Sequence, residues 1–208
     1  MQNAVKKDID KKELRKEVLA VRDNMPEPEW QEKSRRIEVA LMKLPEFQSS
    51  EHILCYVNYK REVKTLSLIE KSLALGKHVY CPVVCKKAME FYEIFSVEEL
   101  ESGYHGILEP KLREEKRRFS MPIEGNCFMV MPGAVFDSGH HRIGYGGGYY
   151  DRYLAEIAIN SQKKGMQGDK AELFAVAVAF SFQIKDRIPY EIHDVCPQII
   201  VTENGIIK

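Results

Sequence analysis

The chain has 208 residues, 44% apolar and 30% charged, with 31 lysines and arginines against 31 aspartates and glutamates. That composition excludes disordered and fibrous classes and suits one substantial core or two small ones. Balanced charge supplies no net field for nucleic acid or an anionic membrane, so a charged ligand needs a local site.

The first stretch, "MQNAVKKDIDKKELRKEV", has no apolar run of signal-peptide length, and no later segment approaches a membrane span. With an odd count of five cysteines, this predicts a reducing, cytoplasmic setting. Cys55, Cys81 and Cys127 sit among apolar residues and read as small core side chains. Cys81 and Cys85 lack the neighbouring histidine or cysteine that a metal site needs.

From Asp10 to Met25 the apolar residues Leu14, Val18, Val21 and Met25 recur at spacings of four, three and four. The spacing predicts an amphipathic helix with Lys11, Arg15 and Arg22 along another side. "MPEPEW" ends it and opens a second helix, with Pro28 and Glu29 in its first turn and Trp30, Ile37, Leu41 and Leu44 buried. The two form an N-terminal helical hairpin. "HILCYV" (His52 to Val57) is of strand length, and "TLSLIEKSLALG" (Thr65 to Gly76) has a helix period closing on a glycine cap. "KHVYCPVV" is a second strand, which Pro82 predicts to end early or lie near an edge.

"MEFYEI" follows, then a helical or turn-rich stretch from Val97 to Gly103. Pro110 to Asn126 is charged and predicted to be an exposed connection. Cys127 to Asp137 is a third apolar strand. Tyr149 to Gly165 is a helix with Leu154, Ile157 and Ala158 inward, Leu173 to Phe180 is a strand covered on both faces, and Pro197 to Gly205 is a last strand and turn. Alternating strands and helices predict an α/β fold, a mostly parallel or mixed sheet with helices on both faces.

The chemistry concentrates in "HRIGYGGGYYDRY", His141 to Tyr153. In α/β folds ligands collect beyond the C-terminal ends of strands, and the strand before this run should end near Met131. Gly144, Gly146, Gly147 and Gly148 expose backbone N–H groups ahead of a helix N-terminus, a setting that favours phosphate. Arg142 adds charged donors, and Asp151 can hold Mg²⁺ through its water shell. The run is neither a P-loop, lacking Lys-Ser/Thr, nor a dinucleotide fingerprint, which Tyr149 breaks. The residues leave two readings open, a ligand loop and an irregular structural turn.

"MPGAVFD" (Met131 to Asp137) followed by "RIGYGGGYYDRYL" (Arg142 to Leu154) closely resembles the 5-formyltetrahydrofolate cyclo-ligase family, also called methenyltetrahydrofolate synthetase. "KKELRKEV", "REVKT", "GILEP" and "PYEIHDV" extend the resemblance along nearly the whole chain. It implies a single three-layer α/β domain over residues 1–208 and an ATP-dependent, Mg²⁺-dependent conversion of 5-formyltetrahydrofolate to 5,10-methenyltetrahydrofolate with release of ADP and phosphate. It further implies that Lys11, Arg15, Arg142, Gly144, Gly146, Gly147, Gly148 and Tyr149 hold ATP, with Arg142 and Lys11 serving the chemistry. Glu62, with Val57 and Tyr150, is expected at the reduced folate, and Asp151 at the metal. The expected partner is a small molecule only, with no nucleic acid and no membrane, for a monomer.

The chain departs from the family at two kinds of place. Tyr145 and Gly147 stand where some members carry basic loop residues, which shifts phosphate neutralisation onto Lys11, Arg15, Arg142 and metal. Pro197-Gln198 replaces an acidic residue, leaving Asp194 as the substitute second metal residue. Taken without the resemblance, Lys11 and Arg15 read as a solvated helix face, and Glu62 beside Lys60, Arg61 and Lys64 as a surface carboxylate. Asp137 reads as a brace for its loop, and His193-Asp194 as a turn rather than an acid–base pair. The stretch from Lys111 to Arg118 lacks interleaved aromatics, against nucleic-acid binding. Two competing functions are an ATP-dependent relative activating another carboxylate or amide, and a non-catalytic folate- or nucleotide-binding protein.

Overall fold

A computed structural model describes residues 10–85, 88–121, 123–163, 173–191 and 194–208. The expected helix end at Gly165 and the His193 half of the His-Asp pair lie outside them. Helix α1 (Lys11–Asp23) starts where the Asp10 carboxylate accepts from the Lys12 amide, and its acidic first turn and basic last turn oppose the helix dipole. Val18 is buried against Ala134, Val135 and Ile143. Val21, however, is 53% exposed while Arg22 is 4% exposed. The apolar period mis-assigns this last turn because the guanidinium finds polar partners inside.

Helix α2 (Glu27–Met42) takes Pro28 in its first turn and buries Ile37 and Leu41, and short α3 (Pro45–Ser49) follows with Leu44 at its cap. Strand β1 (His52–Cys55), helix α4 (Leu66–Ala74) and strand β2 (His78–Cys85) then form a right-sized crossover unit. Gly76 lies just beyond α4 at φ +75°, as a helix-ending glycine should. β3 (Ala88–Ile94) returns antiparallel to β2 along its whole length, while β1 pairs only with His78 to Tyr80. Pro82 therefore does not end β2; it falls where the β1 side is already unpaired and a missing N–H costs little.

β4 (Leu100–Ser102) and β5 (Leu108–Pro110) make a small ribbon. The charged connection is less exposed than its composition implies: Phe119 and Met121 are buried, and the Phe119 amide donates to the Phe91 carbonyl at 2.8 Å. The apolar run from Cys127 splits into β6 (Cys127–Met131) and β7 (Val135–Asp137), which belong to different sheets. The break is at Gly133, where a Cβ would stand 2.3 Å from the Phe136 ring. β8 (Arg142–Ile143), α5 (Tyr149–Lys163), β9 (Leu173–Val178), β10 (Ile184–Lys185), β11 (Ile199–Thr202) and β12 (Gly205–Ile207) complete the chain. On α5 the inward side chains are Tyr150 and Tyr153, with Leu154 and Ile157 partly buried and Ala158 exposed.

The seven-stranded sheet runs β12-β11-β9-β6-β1-β2-β3. Its interior pairs are parallel, and both edge strands are antiparallel. Helices α2, α3 and α4 cover one face through Ile37, Phe47, Leu68 and Ile69. Tyr150 and Tyr153 of α5 cover the other, against Leu54, Phe91 and Met129. Three layers result. All five residues of β6 are buried, as a strand covered on both faces requires. Truncating its Phe128 to alanine should cost about 3–5 kcal/mol. The second sheet, β10-β7-β8, carries α1. Among the described residues no helix is long and apolar enough to cross a membrane.

Candidate functional site

β1 leads through α4 to β2 on one side, whereas β6 leads to β9 on the other, so the sheet switches direction between β1 and β6. Carboxyl ends of strands leave a crevice at such a point. A cleft of about 640 Å³ opens there, lined by Tyr56 and Val57 after β1 and by Pro132 after β6. Its other walls include Arg22, Glu62, Arg142, Gly144, Tyr145, Gly147, Gly148, Tyr149, Tyr150 and Asp151. Of the residues expected at the site, Lys11, Arg15, Gly146 and Asp194 are not on its walls.

The glycine loop joins β8 to α5. Gly146 has φ +99°, a conformation that side chains strain to adopt, and a Cβ at Gly147 would stand 2.4 Å from the Tyr149 ring. The basic side of α1 holds this loop from behind. Arg15 Nε donates to the Gly144 carbonyl at 2.7 Å, and Arg22 Nη1 donates to the Tyr145 hydroxyl at 2.6 Å. Lys11 Nζ reaches past it to Glu191 and Asp194, at 3.1 and 3.2 Å. Its partial burial works against the Lys11 charge, but these two carboxylates outweigh that and raise its pKa. The face that composition reads as solvated is a docking face.

Arg142 is 8% exposed; its Nη2 donates to Asp151 Oδ1 at 2.8 Å, and its guanidinium lies 5.7 Å from the centre of the Tyr150 ring. Asp151 Oδ1 also accepts from the Val195 amide at 3.2 Å. Asp194 accepts from the Glu191 amide at 2.8 Å besides pairing with Lys11. The two expected metal carboxylates thus pair with two of the three expected phosphate cations, Lys11 and Arg142. The buried Nε atoms of Arg22 and Arg142 and the buried Tyr150 hydroxyl have no hydrogen-bond partner. Buried polar groups are almost always satisfied, and these three belong to residues lining one cleft. Such donors, with loop amides at a helix start, fit a phosphorylated ligand.

Glu62 is fixed by a turn in which Lys60 takes φ 49°, the Glu62 amide donates to the Tyr59 carbonyl at 3.1 Å, and the Tyr59 amide donates to Glu62 Oε2 at 2.8 Å. Trp30 of α2 clamps the turn by donating to the Glu62 carbonyl at 2.7 Å. Burial raises the Glu62 carboxyl pKa, and hydrogen bonding from Tyr145 and the Tyr59 amide, with the Arg22 charge, opposes the rise. Tyr145 is 44% exposed overall, yet its hydroxyl is the inner end, and burial beside Glu62 drives its pKa well up.

Asp137 braces the loop before Arg142. It accepts from the amides of Gly139, His141 and Ile188 at 3.0, 3.0 and 3.1 Å. His141 hydrogen-bonds Asp137 and stacks on Tyr190 with centroids 3.6 Å apart, which gives it a structural place. Among the described residues no three His, Cys, Asp or Glu side chains come together as a metal cage. Mg²⁺ commonly takes only one or two carboxylates plus phosphate oxygens, a donor set that Asp151 fits.

Sequence reasoning missed Arg22 and the inward hydroxyl of Tyr145. A signal existed: Arg22 lies seven residues, two helical turns, after Arg15, on the same side of α1. Ile107 and Glu109 of the "GILEP" stretch also line the cleft.

Fold and cleft define a class: an α/β protein with a three-layer, mostly parallel sheet and a switch-point cleft walled by a glycine loop and buried arginines. The sequence profile of the 5-formyltetrahydrofolate cyclo-ligase family matches residues 7–203. A Schizosaccharomyces pombe protein named "Probable 5-formyltetrahydrofolate cyclo-ligase" is 31% identical over 174 residues, 81% of this chain and 82% of its own. The Haemophilus influenzae 5-formyltetrahydrofolate cyclo-ligase is 26% identical over 188 residues, 89% of this chain and 93% of its own. The solution structure of Aquifex aeolicus 5,10-methenyltetrahydrofolate synthetase superposes with a TM-score of 0.77 at 32% identity, covering 95% of this chain and 92% of that one. This chain belongs to the 5-formyltetrahydrofolate cyclo-ligase family.

Proposed function

We propose that the protein catalyses ATP-dependent cyclisation of 5-formyltetrahydrofolate to 5,10-methenyltetrahydrofolate, releasing ADP and phosphate. The observation that carries the proposal is the convergence, at one cleft, of the glycine loop, the unsatisfied Arg142 Nε and the buried Glu62.

A formyl amide is a poor electrophile, because its nitrogen lone pair is delocalised into the carbonyl. Phosphorylation of the formyl oxygen makes that oxygen a leaving group. N10 then attacks the formyl carbon, which closes the five-membered ring; loss of the N10 proton and breaking of the C–O bond, with phosphate leaving, give the methenyl product. The chain's work is positioning and charge stabilisation. Arg142 and the amides of Gly144, Gly146, Gly147, Gly148 and Tyr149 take the phosphates. Lys11 and Arg15 complete the charge from α1, Arg15 also fixing the loop. Glu62, Val57 and Tyr150 hold the reduced folate, and the whole described chain acts as one domain. Mg²⁺ on Asp151, with Asp194 as second carboxylate, would neutralise phosphate charge. Their present pairings supply the exchange: phosphate displaces each carboxylate from its cation.

The test is direct. Purified protein with 5-formyltetrahydrofolate, ATP and Mg²⁺ should generate the methenyl absorbance with one ADP per product. Nucleotide binding without that product, across replicate preparations of folded protein, would reject the assignment.

A further inference from the structure

Arg22 carries a charge that the proposed chemistry has not used. It is 4% exposed on a wall of the cleft. Its Nη1 meets a neutral hydroxyl, that of Tyr145, and its Nη2 meets Asp23 only at 3.4 Å, with Asp23 43% exposed. Its buried Nε has no partner. A buried guanidinium with an unsatisfied N–H is costly to keep unless an acceptor completes it. Tyr145, Glu62 and Asp23 act on its charge strongly enough to outweigh its burial, but among the described residues no group reaches Nε.

Location says what that acceptor is. Tyr145 belongs to the loop whose amides take the phosphates, and its hydroxyl links Arg22 to the region of Glu62, where the folate is held. Arg22 thus lies between the loop that the proposed function gives to the phosphates and the carboxylate it gives to the folate. No basic residue occurs in the loop between Arg142 and Arg152. Arg15 and Arg22, two turns apart on α1, both grip the loop, so the guanidinium is pre-positioned rather than mobile.

Resting on the proposed function, we infer that Arg22 is a binding residue for the transferred phosphoryl group, and that its guanidinium, held by Tyr145, supplies from α1 the positive charge the glycine loop lacks. In the transfer the bond from the γ-phosphorus to the β–γ bridging oxygen breaks, and that oxygen leaves on ADP with the electron pair. A bond forms between the phosphorus and the formyl oxygen. Charge spread over the three non-bridging oxygens of the passing group is what a guanidinium fork stabilises.

The experiment needs no turnover. Calorimetry with Mg²⁺ measures binding of ADP and of a non-hydrolysable ATP analogue, and their affinity ratio reports contact with the terminal phosphate. Arg22→Gln keeps an N–H for Tyr145 but removes the charge; it should cut the analogue's advantage over ADP on the order of tenfold while leaving ADP affinity unchanged. Tyr145→Phe, which keeps the ring and removes only the hydroxyl, should lower the same ratio several-fold by releasing Arg22. The double variant Arg22→Gln/Tyr145→Arg, which returns the charge to the loop, should regain it. An unchanged ratio in both single variants, with wild-type melting temperatures, overturns the inference. So does loss of 5-formyltetrahydrofolate binding with the ratio intact, which would assign Arg22 to the folate. A wild-type chain that bound neither nucleotide would reject the proposed function and this inference together, whereas nucleotide binding without product rejects only the former.

Discussion

Glu62, the carboxylate proposed to hold the folate, illustrates how a buried carboxylate costs stability. Burial lifts its folded pKa above the ordinary 4.5, so between these values the folded state binds more protons than the unfolded one. Its contribution is therefore fully present below pH 4.5 and lost as pH rises through the lifted pKa. Glu62→Gln mimics the protonated form. Urea unfolding across pH should show the variant gaining on wild type as pH rises above 4.5 and then levelling off, while cyclo-ligase activity falls. Arg142→Ala removes a charge-assisted contact and should lower kcat/KM for ATP roughly ten- to hundredfold, with a smaller effect on folate KM, measured by steady-state kinetics. Residue types were readable where the motif names them, as for Arg142 and Asp151. Arg22 was not, because the apolar spacing of Val18, Val21 and Met25 turns Val21 inward, and only the packed structure shows a hydroxyl waiting for the arginine.

At the level of elements, the loop from Asp137 to Tyr149 is shaped from three sides. Asp137 gathers the amides of Gly139, His141 and Ile188, α1 grips Gly144 and Tyr145, and Tyr149 lies where a Cβ on Gly147 would be. Asp137→Ala would leave the buried Ile188 amide unsatisfied and free the Gly139 and His141 amides, and should destabilise the protein by about 1–3 kcal/mol, read from urea midpoints at constant slope. Nucleotide affinity should fall with it, since Arg142 follows the braced segment directly. Helix positions were legible from period, because α1, α2 and α4 each bury one stripe. The apolar run from Cys127 to Asp137 was not legible as two strands: hydropathy has no signal for a chain that changes sheet, and the reason is the Gly133–Phe136 contact. Pro82 leaves an early end and a near-edge position open, and the structure selects the second, since β2 lies next to the edge strand with its β1 side unpaired there.

Over the whole molecule, one topological fact organises the rest. The order in which strands are added reverses between the parallel neighbours β1 and β6, and the cleft draws its walls from α1, the turn after β1, the β2–β3 hairpin and the loop before α5. The residues indicate an α/β fold and leave a ligand loop and a structural turn open beyond Met131; the resemblance brings α1, the Glu62 turn and the glycine loop to one site, and the β2–β3 hairpin wall is legible in neither. A ligand bridging those segments should stabilise them together. With Mg²⁺ and ATP at a hundred times their dissociation constant, linkage contributes about 2.7 kcal/mol, so the melting temperature should rise by roughly 5–10 °C. Activation of the formyl oxygen by ATP, as proposed, is tested most directly by the fate of that oxygen. Substrate labelled with heavy oxygen in the formyl group should hand the label to inorganic phosphate, one atom for each methenyl product, as read by mass spectrometry. Methenyl product formed with ATP cleavage, but with the label released to water and none in phosphate, would contradict it.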